Sequence, residues 1–291
     1  MKKELMQGNF LIIPVSKESS KLAYTFCTQK LSELEAERKA IIDVNRFLDF
    51  LFLGVYLGQG CQSFSITFLK IDCVNIAKLI EAKQKLPFFG NFHFSTSYNL
   101  NDKTLVGVTQ AFNKLSHKIN DKMWVSLHFW RSGLSQKDEY VRFDQIWKAF
   151  EISYRVSVRK RHVDYSGSTS WVKKGLSPKG MKEICDTFSK STGDEIGINA
   201  KVMGCSSPFQ CLITQNYASN LRATNYSQNL ENALNNNDYE TALSNALMCL
   251  AKLRNRVFHA NIFSDTERPI VFVGSSILSD ILYTSFQQCL V

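Results

Sequence analysis

The run Leu250-Ala251-Lys252-Leu253-Arg254-Asn255-Arg256-Val257-Phe258-His259 reads as the end of a helix with a cation in its apolar stripe. At about 100° per residue, Leu243, Leu247, Leu250 and Val257 fall on one face, which predicts a helix packed on a core, and Arg254 lies inside that face. An unpaired buried guanidinium costs several kcal/mol, so Arg254 needs a carboxylate partner or must project into a cleft or interface built for an anion. Asn255 and His259, at i and i+4, share the adjoining face, and His259 falls near the expected helix end, where the macrodipole favours imidazolium. The turn Asn235-Asn236-Asn237-Asp238 offers Asp238 as the N-cap, so the helix is predicted to start near Tyr239 and to fray around Asn261.

Working outward, Arg142-Phe143-Asp144-Gln145-Ile146-Trp147-Lys148-Ala149-Phe150-Glu151-Ile152-Ser153-Tyr154 predicts a second helix. Phe143, Ile146, Trp147, Phe150 and Tyr154 form its apolar face, with Glu151 at the flank, either pairing with Arg254, acting at a phosphate, or lying on the surface. Arg155, Arg159, Lys160, Arg161 and His162 follow as a basic cluster suited to a nucleic-acid backbone. Residues 164–208, rich in Gly, Ser and Lys, read as an insertion or lid-like connection with a short helix over Met181 to Phe188.

The first half mixes patterns. Phe10 to Val15 is a short apolar run, Ser19 to Phe50 is largely helix-compatible, and Ser63 to Ile71, Phe88 to Ser95, Thr104 to Val108 and Met123 to Trp130 read as strands. The fold class expected is therefore α+β, with an α/β module over residues 1–135 and an all-α helical bundle over residues 136–291, joined near Ser132 to Ser135.

Composition narrows the function. A chain of 291 residues with a formal net charge of +9 favours a polyanionic partner. Eight cysteines at Cys27, Cys61, Cys73, Cys185, Cys205, Cys211, Cys249 and Cys289 include no C-x-x-C pair, which predicts reduced thiols in a cytoplasmic protein, with neither disulfides nor zinc. The apolar run Phe47 to Leu57 contains Asp49 and is too short to span a bilayer, so it is expected in the core and no membrane partner is implied. His93, His117 and His128 have no carboxylate or cysteine at ligand spacing, and no metal or cofactor is expected.

Arg supplies a charged fork for phosphate, Asn a neutral donor and acceptor, and His a group that titrates near neutrality. That set suits RNA cleavage without a metal, because the 2′-hydroxyl is an internal nucleophile that needs only orientation, proton transfer and charge stabilisation. The R-N-x-x-x-H element resembles the signature of the HEPN superfamily (higher eukaryotes and prokaryotes nucleotide-binding). The stretch Arg142 to Tyr154 resembles the aromatic first helix of its prokaryotic members, and Ile277-Leu278-Ser279-Asp280-Ile281-Leu282 their closing helix. The chain departs from many of those relatives in having Ala260 and Asn261 after the His, and Glu151 where Asn is common.

The resemblance implies a HEPN-like helical domain and a metal-independent endoribonuclease leaving 2′,3′-cyclic phosphate. It further implies a homodimer with two motifs facing one cleft, acting in a defence or toxin system with a regulatory or antitoxin partner. Arg254, Asn255 and His259 would be catalytic, Glu151 would support them, and Arg155, Arg159, Lys160 and Arg161 would contact RNA. The competing expectation is a non-catalytic protein that binds RNA or a nucleotide, or mediates dimerisation, with Arg254 in a structural ion pair.

Overall fold

Short polar residues fix where the helices begin. Asn120, Asp138, Asp164, Ser177, Asp194 and Asn225 each accept a hydrogen bond from a backbone N–H two or three residues on, satisfying donors that the first helical turn leaves without partners. Asp238 does the same for Thr241 N at 3.1 Å, so the motif helix starts at Tyr239, where the turn signal predicts it.

The computed structural model describes residues 9–14, 20–25, 33–55, 64–67, 91–94, 111–112, 114–190, 193–214, 225–259 and 268–290. Its helices are α1 Glu33–Val55, α2 Asp121–Leu134, α3 Glu139–Val158, α4 Tyr165–Gly175 and α5 Pro178–Phe188. They continue with α6 Glu195–Val202, α7 Pro208–Thr214, α8 Tyr226–Asn235, α9 Tyr239–His259 and α10 Arg268–Leu290. The chain divides into two compact units, residues 1–55 with 63–116, and residues 56–62 with 117–291.

Among the described residues the architecture is overwhelmingly helical and points to an all-α fold, which overturns the expected α+β class and its α/β N-terminal module. In the first unit the organising element is α1, where Phe47, Leu48, Phe50, Leu51, Phe52 and Leu53 are buried and the Phe47 and Phe50 rings meet Phe112 edge-on at 5.3 and 5.5 Å. β-structure among the described residues amounts to two separate antiparallel pairs, Asn9–Pro14 with Ser20–Thr25 and Phe64–Thr67 with Asn91–Phe94. A lone two-stranded pair presents no layer for helices to pack on, so these pairs do not build the expected module. Met123 to Trp130, expected as a strand, lies within α2: its residues combine burial with helical capping, which short-range alternation did not reveal. Thr104 to Val108 lies outside the described residues.

In the second unit, α2 and α3 run antiparallel. Ser126 Oγ donates to Ala149 O at 2.6 Å, and a Cβ on Gly133 would come within 2.8 Å of Ile146. The expected aromatic stripe of α3 is core: Phe143, Ile146, Trp147, Phe150 and Tyr154 are buried. Residues 164–208, expected as an insertion or lid, instead form helices α4 to α6. Trp171, Val172, Ile184 and Phe188 bury there, and Phe150 meets Trp171 edge-on at 5.2 Å. Fully burying one such large apolar side chain stabilises by about 1.5–3 kcal/mol.

Helix α10 runs through the centre, with Ile270 to Leu282 continuously buried. By length and composition, Arg268–Cys289 could cross a membrane, but 78% of the relevant window is buried inside the protein. Trp130 of α2 stacks on its Phe286 at 5.9 Å, and Arg268 pairs with Asp138 and Glu139 at 3.3 and 2.8 Å. Against α9, α10 presents Gly274. A Cβ there would stand 3.0 Å from Leu253, 3.1 Å from Leu250 and 3.5 Å from Phe143, so only glycine permits this approach without displacing neighbours.

Candidate nucleic-acid site

Helix α9 is two regions in one element. From Ala242 to Ala251 every residue is buried, including Ser244 and Asn245, whose side chains donate to the Glu240 and Thr241 carbonyls. Beyond Leu253 the burial becomes one-sided: Val257 stays buried and Phe258 stacks on Phe143 at 6.4 Å, while Asn255 and Arg256 are exposed and Arg254 is half-buried. The stripe that Arg254 shares with Leu250 and Val257 stays buried on either side of it, and Arg254 itself is half-buried.

Arg254 Nη1 donates to Asn255 Oδ1 at 3.3 Å. This contact with a neutral amide oxygen helps set the orientation of the guanidinium plane. His259 is the last residue of α9, and the helical repeat puts its position one turn beyond Asn255. Arg254, Asn255 and His259 are therefore brought to one helix end. Glu151 is elsewhere engaged: its carboxylate forms an i,i+4 pair with Arg155 at 3.4 Å.

The basic cluster expected to contact RNA forms the end of α3 and the turn into α4. Arg155, Arg159 and Arg161 are exposed. Arg159 adopts the left-handed conformation, φ 59° and ψ 22°, and its N–H closes α3 on Arg155 O at 3.0 Å. Lys160 bonds both Asp164 carboxylate oxygens, at 2.9 and 3.0 Å, and Ser166 Oγ at 2.6 Å. The Lys160 hydrogen bond, followed by those from Gly167 N–H and Ser166, holds the Asp164 carboxyl below the usual carboxylate range. Tyr154 reaches the turn from the core, donating to His162 O at 3.2 Å and accepting from Asp164 N at 3.3 Å, and burial raises its phenol pKa. A Cβ on Gly167 would meet that hydroxyl at 1.9 Å, so the turn is built on this glycine.

One feature between these regions was not read from sequence. Tyr165, the first residue of α4, stacks on Tyr226, the first residue of α8, with ring centroids 6.2 Å apart and planes 17° apart. Lys252 Nζ lies 4.6 Å from the centre of the Tyr226 ring. Tyr165, Tyr226 and Lys252 are remote from one another along the chain, and no spacing rule connects them.

Other chemistries have less to work with among the described residues. Burial pushes the Cys185 thiol up to about 12 and the Cys249 thiol to about 11, and raises Cys211 further, so these sulfurs are poor nucleophiles near neutral pH. No group of three or more His, Cys, Asp or Glu gathers among the described residues to hold a metal ion. No family model, curated protein or solved structure matches this chain.

Proposed function

We propose that this chain is a metal-independent endoribonuclease of HEPN type. The observation that carries the reading is the end of α9, where a helix buried from Ala242 to Ala251 exposes Asn255 and Arg256 beside the half-buried Arg254, with His259 as its last residue. The net charge of +9 and the exposed Arg155, Arg159 and Arg161 supply attraction for a phosphate backbone.

In this reading the Arg254 guanidinium, oriented by the Asn255 carbonyl, binds the scissile phosphate and offsets charge on the phosphorane. His259 assists proton transfer, from the attacking 2′-hydroxyl or to the departing 5′-oxygen. The O2′–P bond forms, the P–O5′ bond breaks, and the product carries a 2′,3′-cyclic phosphate. A homodimer would supply a second His259, so that one imidazole could accept the proton while the other donates.

The test is cleavage of end-labelled total and transfer RNA in excess EDTA by wild type, Arg254→Ala and His259→Ala, with product ends analysed. Cyclic-phosphate ends from wild type alone, with both variants folded, are the expected result. Intact RNA from all three overturns the nuclease reading in favour of a binding or dimerisation protein.

A further inference from the structure

We infer that the Tyr165–Tyr226 stack with Lys252 is a base-stacking platform that selects unpaired RNA and leads it to the motif end of α9. The inference rests on the RNase reading for its choice of RNA. Along α9, Lys252, Asn255, Arg256 and His259 stand at i, i+3, i+4 and i+7, so one helical stripe runs from the tyrosine pair to the motif histidine. The axial distance from Lys252 to His259 is about 10 Å, on the scale of one to two nucleotides.

The chain that enters the platform at Tyr165 is basic as well. Tyr165 follows the turn bearing exposed Arg159 and Arg161 by only a few residues, and the nearby Asp164 carboxylate is tied to Lys160. Basic groups thus border the aromatic pair on both sides in the chain, along α9 and along the turn that enters α4.

Tyr165 is 41% exposed although it is large and aromatic. Stacked rings at a surface with cations alongside are what a sequence-tolerant single-strand site requires: the π-face takes a base and the cation takes a phosphate. A regular duplex keeps its base faces stacked internally, so it has no free face to offer this pair.

The experiment is fluorescence anisotropy with a labelled, mixed-sequence decamer of 2′-O-methyl RNA, which cannot be cleaved through its 2′-oxygen, presented unpaired or as a duplex. Wild type, Tyr165→Ala, Tyr165→Phe and Tyr226→Phe are compared, with thermal melting as the check on folding. Tyr165→Ala is expected to bind the unpaired decamer about tenfold more weakly while both Phe variants bind like wild type, and duplex binding should not change. Wild-type affinity in folded Tyr165→Ala, or an equal loss for duplex, overturns the platform. Tyrosine-dependent binding without cleavage would sink the nuclease reading and leave the platform standing; cleavage with tyrosine-independent binding would do the reverse; no RNA binding by wild type removes the platform.

Discussion

The two parts of α9 differ less in composition than in surroundings. Residues 242–251 include Ser244, Asn245 and Cys249 and are nonetheless buried on every side, whereas 254–259 include Val257 and Phe258 and yet expose Asn255 and Arg256. Polarity alone does not decide which part faces water. The buried part has α4, α8 and α10 against it: Ser168 Oγ reaches Ser244 O at 3.4 Å, Ser227 lies 4.0 Å from Cys249, and Gly274 seats Leu250. At the motif end, Phe258 meets Phe143 of α3 while Asn255 and Arg256 remain accessible. The proposed site therefore lies where the neighbours of a core helix leave Asn255 and Arg256 uncovered.

The comparison breaks most readily through function. His259→Ala is expected to lower RNA cleavage by about 100- to 10,000-fold, the usual contribution of a positioned general acid or base, with little change in melting temperature. A large drop in melting temperature with His259→Ala would mean that the motif end belongs to the core after all. The opposite pattern is expected for Leu250→Ala: a loss of about 2–5 kcal/mol in urea unfolding, because its fully buried side chain packs where α10 crosses. Retention of wild-type stability there would contradict the tight seating of α9.

Gly274→Ala sharpens the same point. The added methyl must push Leu253 and Leu250 aside, and a destabilisation of about 1–3 kcal/mol is expected from the denaturation midpoint. Asp138→Ala should cost about 1 kcal/mol by removing the cap of α3. The Asp138 carboxyl is held below its ordinary value, first by the Val141 N–H and also by Arg268. Its ionised form therefore contributes stability above the unfolded pKa near 3.8, and that contribution disappears as pH falls through the lower folded value. The difference between wild type and Asp138→Ala should accordingly narrow in acid unfolding experiments. Smallest of all, Glu151→Gln should change stability by less than about 0.5 kcal/mol, since its partner Arg155 is exposed; a large loss of cleavage in this variant would restore Glu151 to the site.

Several elements were legible because their signals are local. Asp238 followed by an apolar helical repeat located the start of α9, and the aromatic spacing from Phe143 to Tyr154 located the core face of α3. The α/β expectation failed where short apolar runs fit a buried helix as well as a strand, as Met123 to Trp130 does within α2. Residues 164–208 were misread for a related reason: their Gly and Ser content suggested a loop, but Gly167 and Gly180 lie where a Cβ would collide with Tyr154 and Thr284. There glycine serves close packing rather than chain flexibility.

By itself the sequence determined the helical repeat of α9, the stripe that Arg254 interrupts, and the clustering of Arg254, Asn255 and His259 within that repeat. Those relations need only the 3.6-residue period. Tertiary structure alone decided that α9 is enclosed before it is exposed and that Tyr165 meets Tyr226 beside Lys252. These contacts join residues on different helices, or depend on which helix face is covered, and are fixed only when the helices pack.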